Sequence, residues 1–175
     1  IIREKQNFAT RLAKLLLRAV SENKSRHRWL QDFMLRNDSV TVAVEVPVYM
    51  DEMDVDHMER ELGFKIPINF GTGSDRDRGG NSGTGSVSTS GSTSARVITG
   101  HIDALQLRNG AIHILDYKPQ GRDKRRIKPI TQLTLYALAL SRLTGLRLYD
   151  FKCAWFDENV YYEFFPLHVV YKLRE

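Results

Sequence analysis

Asp103, Asp116 and Lys118 are the residues best placed to do chemistry in this 175-residue chain, because a tight turn between them draws two carboxylates and an ammonium together. The stretch from Gly100 to Pro119 reads GHIDALQLRNGAIHILDYKP, two apolar-rich runs joined by Asn109-Gly110. Asn-Gly between alternating runs predicts a hairpin, since both central residues of a type I′ turn need positive φ. Such a turn also fixes the register. Arg108 opposes Ala111, Leu107 opposes Ile112 and Leu105 opposes Ile114; further out, Asp103 opposes Asp116 and His101 opposes Lys118. Alternation then places Leu105, Leu107, Ile112 and Ile114 on one face, with Asp103, Asp116 and Lys118 at its end. Two unit charges about 5 Å apart repel by roughly 3 kcal/mol at an effective dielectric of about 20. A shared proton, the neighbouring lysine or a bound cation offsets that repulsion. Converging carboxylates suit a hard ion such as Mg²⁺, which takes one or two of them and keeps several waters.

Gly100-His101-Ile102-Asp103, a hairpin, Asp116-Tyr117-Lys118, and then a helix carrying Gln132 and Tyr136 follow one another in order. This succession of G-x-I-D, D-x-K and Q-x-x-x-Y resembles the signature of the PD-(D/E)XK nuclease superfamily. Within it, the nearest likeness is to the RecB-like branch, which includes CRISPR-associated nucleases. The likeness covers roughly residues 97–140 and, elsewhere, the order of elements.

The resemblance implies a metal-dependent nuclease that hydrolyses phosphodiester bonds, in DNA rather than RNA, with exonuclease action slightly favoured over endonuclease. DNA repair, recombination or defence is its expected setting. Asp103 and Asp116 would hold Mg²⁺ or Mn²⁺, with the Tyr117 carbonyl completing the shell. A metal acidifies its water and acts as a Lewis acid, which is what phosphodiester hydrolysis needs. Lys118 would position the attacking water or steady the pentacovalent phosphate. One further ligand is expected from the first helical region, and Glu22 and His27 are the candidates. Gln132 and Tyr136 would orient the substrate phosphate or the lysine; from the residues alone they are equally a polar pair on a buried helix. An ordinary Asp–Lys cluster at a sheet edge is the bland alternative for the acids. A catalytically inactive nuclease-fold module that binds nucleic acid or a partner protein is the functional alternative, and a hydrolase of other phosphate esters is a third.

Length and composition set outer bounds. The chain suits a single domain over residues 1–175, long enough for a sizeable core. No run of 18 or more apolar residues is present, so no membrane span is expected. No signal-peptide pattern is seen, and an intracellular site, cytoplasmic or nucleoid-associated, is expected; opening on Ile1-Ile2 without methionine is expected of a trimmed chain or a fragment. The formal net charge of +5 admits a polyanionic partner without demanding one. Protein partners are not indicated. Cys153 is the single cysteine, which excludes an intrachain disulfide and a four-cysteine iron–sulfur cluster. Its apolar setting reads as a buried strand.

The elements that must carry these residues follow from periodicity. Residues 3–20 predict an amphipathic helix, broken at Ser21-Glu22-Asn23 and followed by a second helix to about Arg36. Val40 to Tyr49 predicts a strand with its valines on one side and Glu45 on the other, away from the acids. A short acidic helix over 51–61 follows. Residues 71–94, nearly all Gly, Ser, Thr, Asp, Arg and Asn, are expected to form a flexible insertion. Arg122, Lys124, Arg125, Arg126 and Lys128 make a basic segment expected to face DNA, with a solvated loop as the alternative. Pro129 to Gly145 predicts a buried helix. Strands over 148–156 and 160–167 and a helical tail from His168 complete the chain. The fold class expected is α/β: a central mixed β-sheet flanked by helices, the helix–strand–strand–strand–helix–strand core of restriction-endonuclease-like proteins.

Overall fold

The computed structural model describes residues 3–5, 7–20, 22–63, 97–118 and 127–172. The first half comprises β1 (Arg3–Lys5), α1 (Phe8–Ala19), α2 (Asn23–Asn37), β2 (Thr41–Asp51) and α3 (Glu52–Leu62). The second comprises β3 (Val97–Arg108), β4 (Ala111–Tyr117), α4 (Ile127–Thr144), β5 (Phe151–Phe156), β6 (Tyr161–Phe164) and α5 (Pro166–Lys172). The strands form one mixed sheet in the order β1-β6-β5-β4-β3-β2. Only β4 and β5 run parallel. α4 supplies the long crossover that a parallel pair needs. Among the described residues no helix is long and apolar enough to cross a membrane.

The Asn109-Gly110 turn forms as expected, with φ of 52° and 73°. The register follows, from Arg108↔Ala111 through Leu105↔Ile114 to Ala104↔Leu115. Helices cover both faces. α1 and α2 pack Ala9, Leu12, Ala13, Leu30 and Met34 onto Ala104, Leu115 and Tyr117. On the other face α4, with α3 and α5, packs onto Leu105, Ile114, Cys153 and Trp155. α4 is apolar on several sides because it is buried on several sides: Leu133, Leu135, Leu138 and Leu140 are all inside. It begins at Ile127, two residues before Pro129, and stops at Gly145, whose φ of 71° only glycine adopts readily.

Three departures have physical causes. The helix expected over residues 3–20 starts only at Phe8, because Asn7 caps it: its Oδ1 accepts from Thr10 N at 3.2 Å. Residues ahead of that cap pair with β6 as a short strand. Leu148–Asp150 form a 3₁₀ turn leading into β5. The valines of β2 do not share one side. Val44 packs towards α1 and α2, whereas Val46 and Val48 pack towards α4. Between them Glu45 has φ of 51°, which breaks the alternation. β3 breaks step at the matching place, since Ile102 and Leu105 belong to one apolar layer and Ala104 to the other. The insertion expected over 71–94 lies outside the described residues.

Candidate active site

β3 and β4 part where the expected chemistry lies. Their ladder ends at Ala104↔Leu115. Beyond it β3 continues against β2 as far as Val97, and β4 continues against β5 as far as Tyr117↔Phe156. Lys118 N then donates to Phe156 O at 2.9 Å. Each strand is thus held by its outer neighbour, and a gap opens between them. The Asp103 carboxylate fills that gap: its Oδ2 accepts from Tyr117 N at 2.7 Å. The opposition of His101 to Lys118 expected from the turn is therefore absent; His101 pairs with Pro47 and is exposed. Asp103 likewise does not share the Leu105 face. It sits at the break in alternation, with its carboxylate directed at β4.

Asp116, on the α4 side of β4, is buried, and its Oδ2 meets Lys118 Nζ at 2.9 Å. Lys118 Nζ also donates to Gln132 Oε1 at 3.3 Å, and Gln132 Nε2 donates to Tyr136 Oη at 2.9 Å. The helical spacing of four places Gln132 and Tyr136 on one face of α4. Tyr136 is buried against Gly100, where a Cβ would lie 2.5 Å from its Oη. Gly100, Lys118, Gln132 and Tyr136 thus form one continuous line of contact.

Of the two helical candidates, the structure brings His27 to the acids. His27 Nδ1 lies 3.6 Å from Asp103 Oδ2, and its ring is tilted against Tyr117 at 5.0 Å. Glu22 is exposed and accepts from Ser25 Oγ at 3.0 Å at the start of α2. Four residues beyond His27, Gln31 Nε2 donates to Glu45 Oε1 at 2.5 Å. Glu45 was expected to point away from the acids. Its positive φ removes the basis for that expectation, and its charge acts on both Asp103 and His27. A lone acid in a valine strand, with a histidine and a glutamine one turn apart on the preceding helix, was the signal available.

Electrostatics couples the group. Burial, and then the charge of Asp116, holds the Asp103 carboxyl well above the usual carboxylate range, against the pull of the Tyr117 N–H and Lys118. Burial alone would lower the Lys118 ammonium, yet Asp116 and Asp103 outweigh it and hold it above its usual value. Burial lowers His27, with Asp116 acting against the shift. The Tyr117 phenol, pushed up mainly by burial to about 12, stays protonated.

A buried Asp103 carboxyl whose charged form is opposed by the neighbouring Asp116 fits a cation placed beside it. Among the described residues no group of three or more His, Cys, Asp or Glu side chains gathers as a closed metal cage. Two carboxylates with the rest of the shell left to water would suit a hard divalent cation better than zinc, whose sites carry three or four protein ligands. Arg122, Lys124, Arg125 and Arg126 lie outside the described residues, as does the side chain of Lys128. A family model described as the PD-(D/E)XK nuclease superfamily matches residues 2–159. No curated protein and no solved structure gives a significant match.

Proposed function

The chain belongs to the PD-(D/E)XK nuclease superfamily, and we propose that it is a metal-dependent deoxyribonuclease of the RecB-like branch, acting inside the cell in DNA repair, recombination or defence. One observation carries the reading: at the parting of β3 and β4, Lys118 Nζ lies 2.9 Å from the buried Asp116 Oδ2 while Asp103 Oδ2 accepts from the intervening Tyr117 N at 2.7 Å. In this reading Asp103 and Asp116 hold Mg²⁺ or Mn²⁺, with the Tyr117 carbonyl and His27 beside them. Bound there, the ion supplies a Lewis acid and makes a water more acidic.

Lys118 is a donor in this scheme and not a base, because its acidic neighbours keep it protonated. An ammonium has three N–H donors. Gln132 Oε1 accepts one and Asp116 Oδ2 lies 2.9 Å away as its ion-pair partner; a remaining N–H serves the attacking water or a phosphate oxygen as charge builds there. Gln132 and Tyr136 hold the lysine in place from α4. As water adds to phosphorus, the bond to the leaving oxygen breaks. We assign Arg122, Lys124, Arg125, Arg126 and Lys128 to the phosphate backbone, where basic side chains make binding fall with salt. Exonuclease action on DNA is slightly favoured.

The test is digestion of labelled linear and circular DNA, single- and double-stranded, with Mg²⁺ and with chelator, beside the Asp116→Ala variant and an RNA control. Cleavage that requires both Mg²⁺ and Asp116, with salt-sensitive binding kept by the variant, is the expected result. Equal activity in chelator or in the variant overturns the reading.

A further inference from the structure

We propose that the solvent-exposed face of the β2–β3 ribbon beside Asp103 seats an unpaired nucleic-acid strand, with Tyr49 as the platform on which a base stacks. The proposal rests on the nuclease reading and names the form of substrate that this reading leaves open.

Beyond the break at Glu45 and Asp103, β2 and β3 pair as Pro47↔His101, Val48↔Gly100, Tyr49↔Thr99 and Met50↔Ile98. One side of this ribbon is sealed: Val48, Met50 and Ile98 are buried in the layer under α3 and α4. On the other side Pro47, Tyr49, Thr99 and His101 are all exposed, Tyr49 to 56%. α2 reaches the ribbon at its near end, through Gln31 on Glu45 and His27 beside Asp103. The ribbon is therefore a floor that α2 borders at one end, with Asp103 at the junction.

Tyr49 pairs with Thr99, four residues along β3 from Asp103, or roughly 13 Å at about 3.3 Å per residue. A strand lying on the floor therefore runs towards Asp103 at the parting of β3 and β4, with Asp116 and Lys118 across that gap on the α4 side. An exposed tyrosine ring takes the face of any base, but only of an unpaired one, since a duplex hides its base faces in the stack. His101, two residues nearer to Asp103 on the same face, offers a ring N–H to the backbone that links such bases. A single ring flanked by Pro47, Thr99 and His101 is not the broad apolar patch that protein docking uses. The formal net charge of +5 admits a polyanion.

The experiment measures anisotropy of labelled oligothymidylate and of a duplex of equal length, in Mg²⁺, on the cleavage-dead Asp116→Ala protein with and without Tyr49→Ala or Tyr49→Trp. Tyr49→Ala should weaken single-strand binding about tenfold and leave duplex binding unchanged. Tyr49→Trp should keep the affinity, and its emission should be quenched when oligothymidylate is added. Unchanged single-strand affinity in Tyr49→Ala, equal losses on both ligands, or unquenched Tyr49→Trp emission overturns the proposal. If wild-type protein cuts DNA while Tyr49 proves indifferent, only this proposal falls. If the wild type neither binds nor cuts any nucleic acid, the nuclease reading falls with it.

Discussion

The ring of Tyr136 rests on the main chain of Gly100, in the space that any Cβ would take. A methyl group there would stand 2.6 Å from Tyr136 Cζ, and the ring is too buried to swing clear. Gly100→Ala should therefore destabilise the fold by about 1–3 kcal/mol, the usual cost of overpacking. Urea titration checks this. In a Tyr136→Ala background the added cost should vanish, as a double-mutant cycle would show.

The contact from Tyr136 through Gln132 to Lys118 makes a graded prediction for catalysis. Gln132→Ala removes the carbonyl that accepts from Nζ and should lower kcat about tenfold with little change in KM. Tyr136→Phe acts one step further away and should cost less. The two losses should not add, because both act through the same ammonium; single-turnover rates on a saturating substrate would show it.

Asp103→Asn should separate stability from chemistry. The amide oxygen can still accept from Tyr117 N, so the parted strands keep their link. In wild type the folded-state carboxyl titrates above its unfolded value, so the native state binds the extra proton. Stability in chelator should consequently fall as pH rises from about 3.9 through the raised folded value, by about 1.4 kcal/mol per unit of displacement. The asparagine variant should lack this slope and be the more stable protein at pH 7. Mg²⁺ should stabilise the wild type only. Denaturation midpoints against pH, with and without Mg²⁺, measure both effects.

His27 and Glu22 should differ sharply. His27→Ala should raise the Mg²⁺ concentration needed for half-maximal cleavage about tenfold, as expected for a group beside the acids. Glu22→Ala should leave it unchanged, because that side chain is exposed and bonded to Ser25.

Cys153 should be chemically silent. It is fully buried, its Sγ lies 3.4 Å from Leu133 O as a donor, and burial pushes the thiol well above its usual range. Thiol reagents should label it only once the protein is unfolded, and cleavage should survive treatment of the native protein.

Much of the site could be read from short-range pattern. Asn109-Gly110 dictated a turn, the turn dictated register, and helical spacing aligned Gln132 with Tyr136. What escaped depends on contacts distant in sequence. Nothing local to residues 3–5 announces pairing with β6. Strict alternation put Glu45 away from the acids and gave Asp103 the face of Leu105. The backbone breaks step at both residues, and a φ of 51° at a glutamate has no signature in composition. His27 could be named as a candidate, but its choice over Glu22 required knowing which turn of α2 lies over β3.

The bond from Tyr117 N to Asp103 Oδ2 makes one atom serve both as splice for the scaffold and as part of the proposed reaction centre. A descendant that abandoned hydrolysis would still need an acceptor there, so asparagine would survive where alanine would not. Such a silent copy would pass for a working enzyme at position 103, and its retirement would be legible only at Asp116 and Lys118.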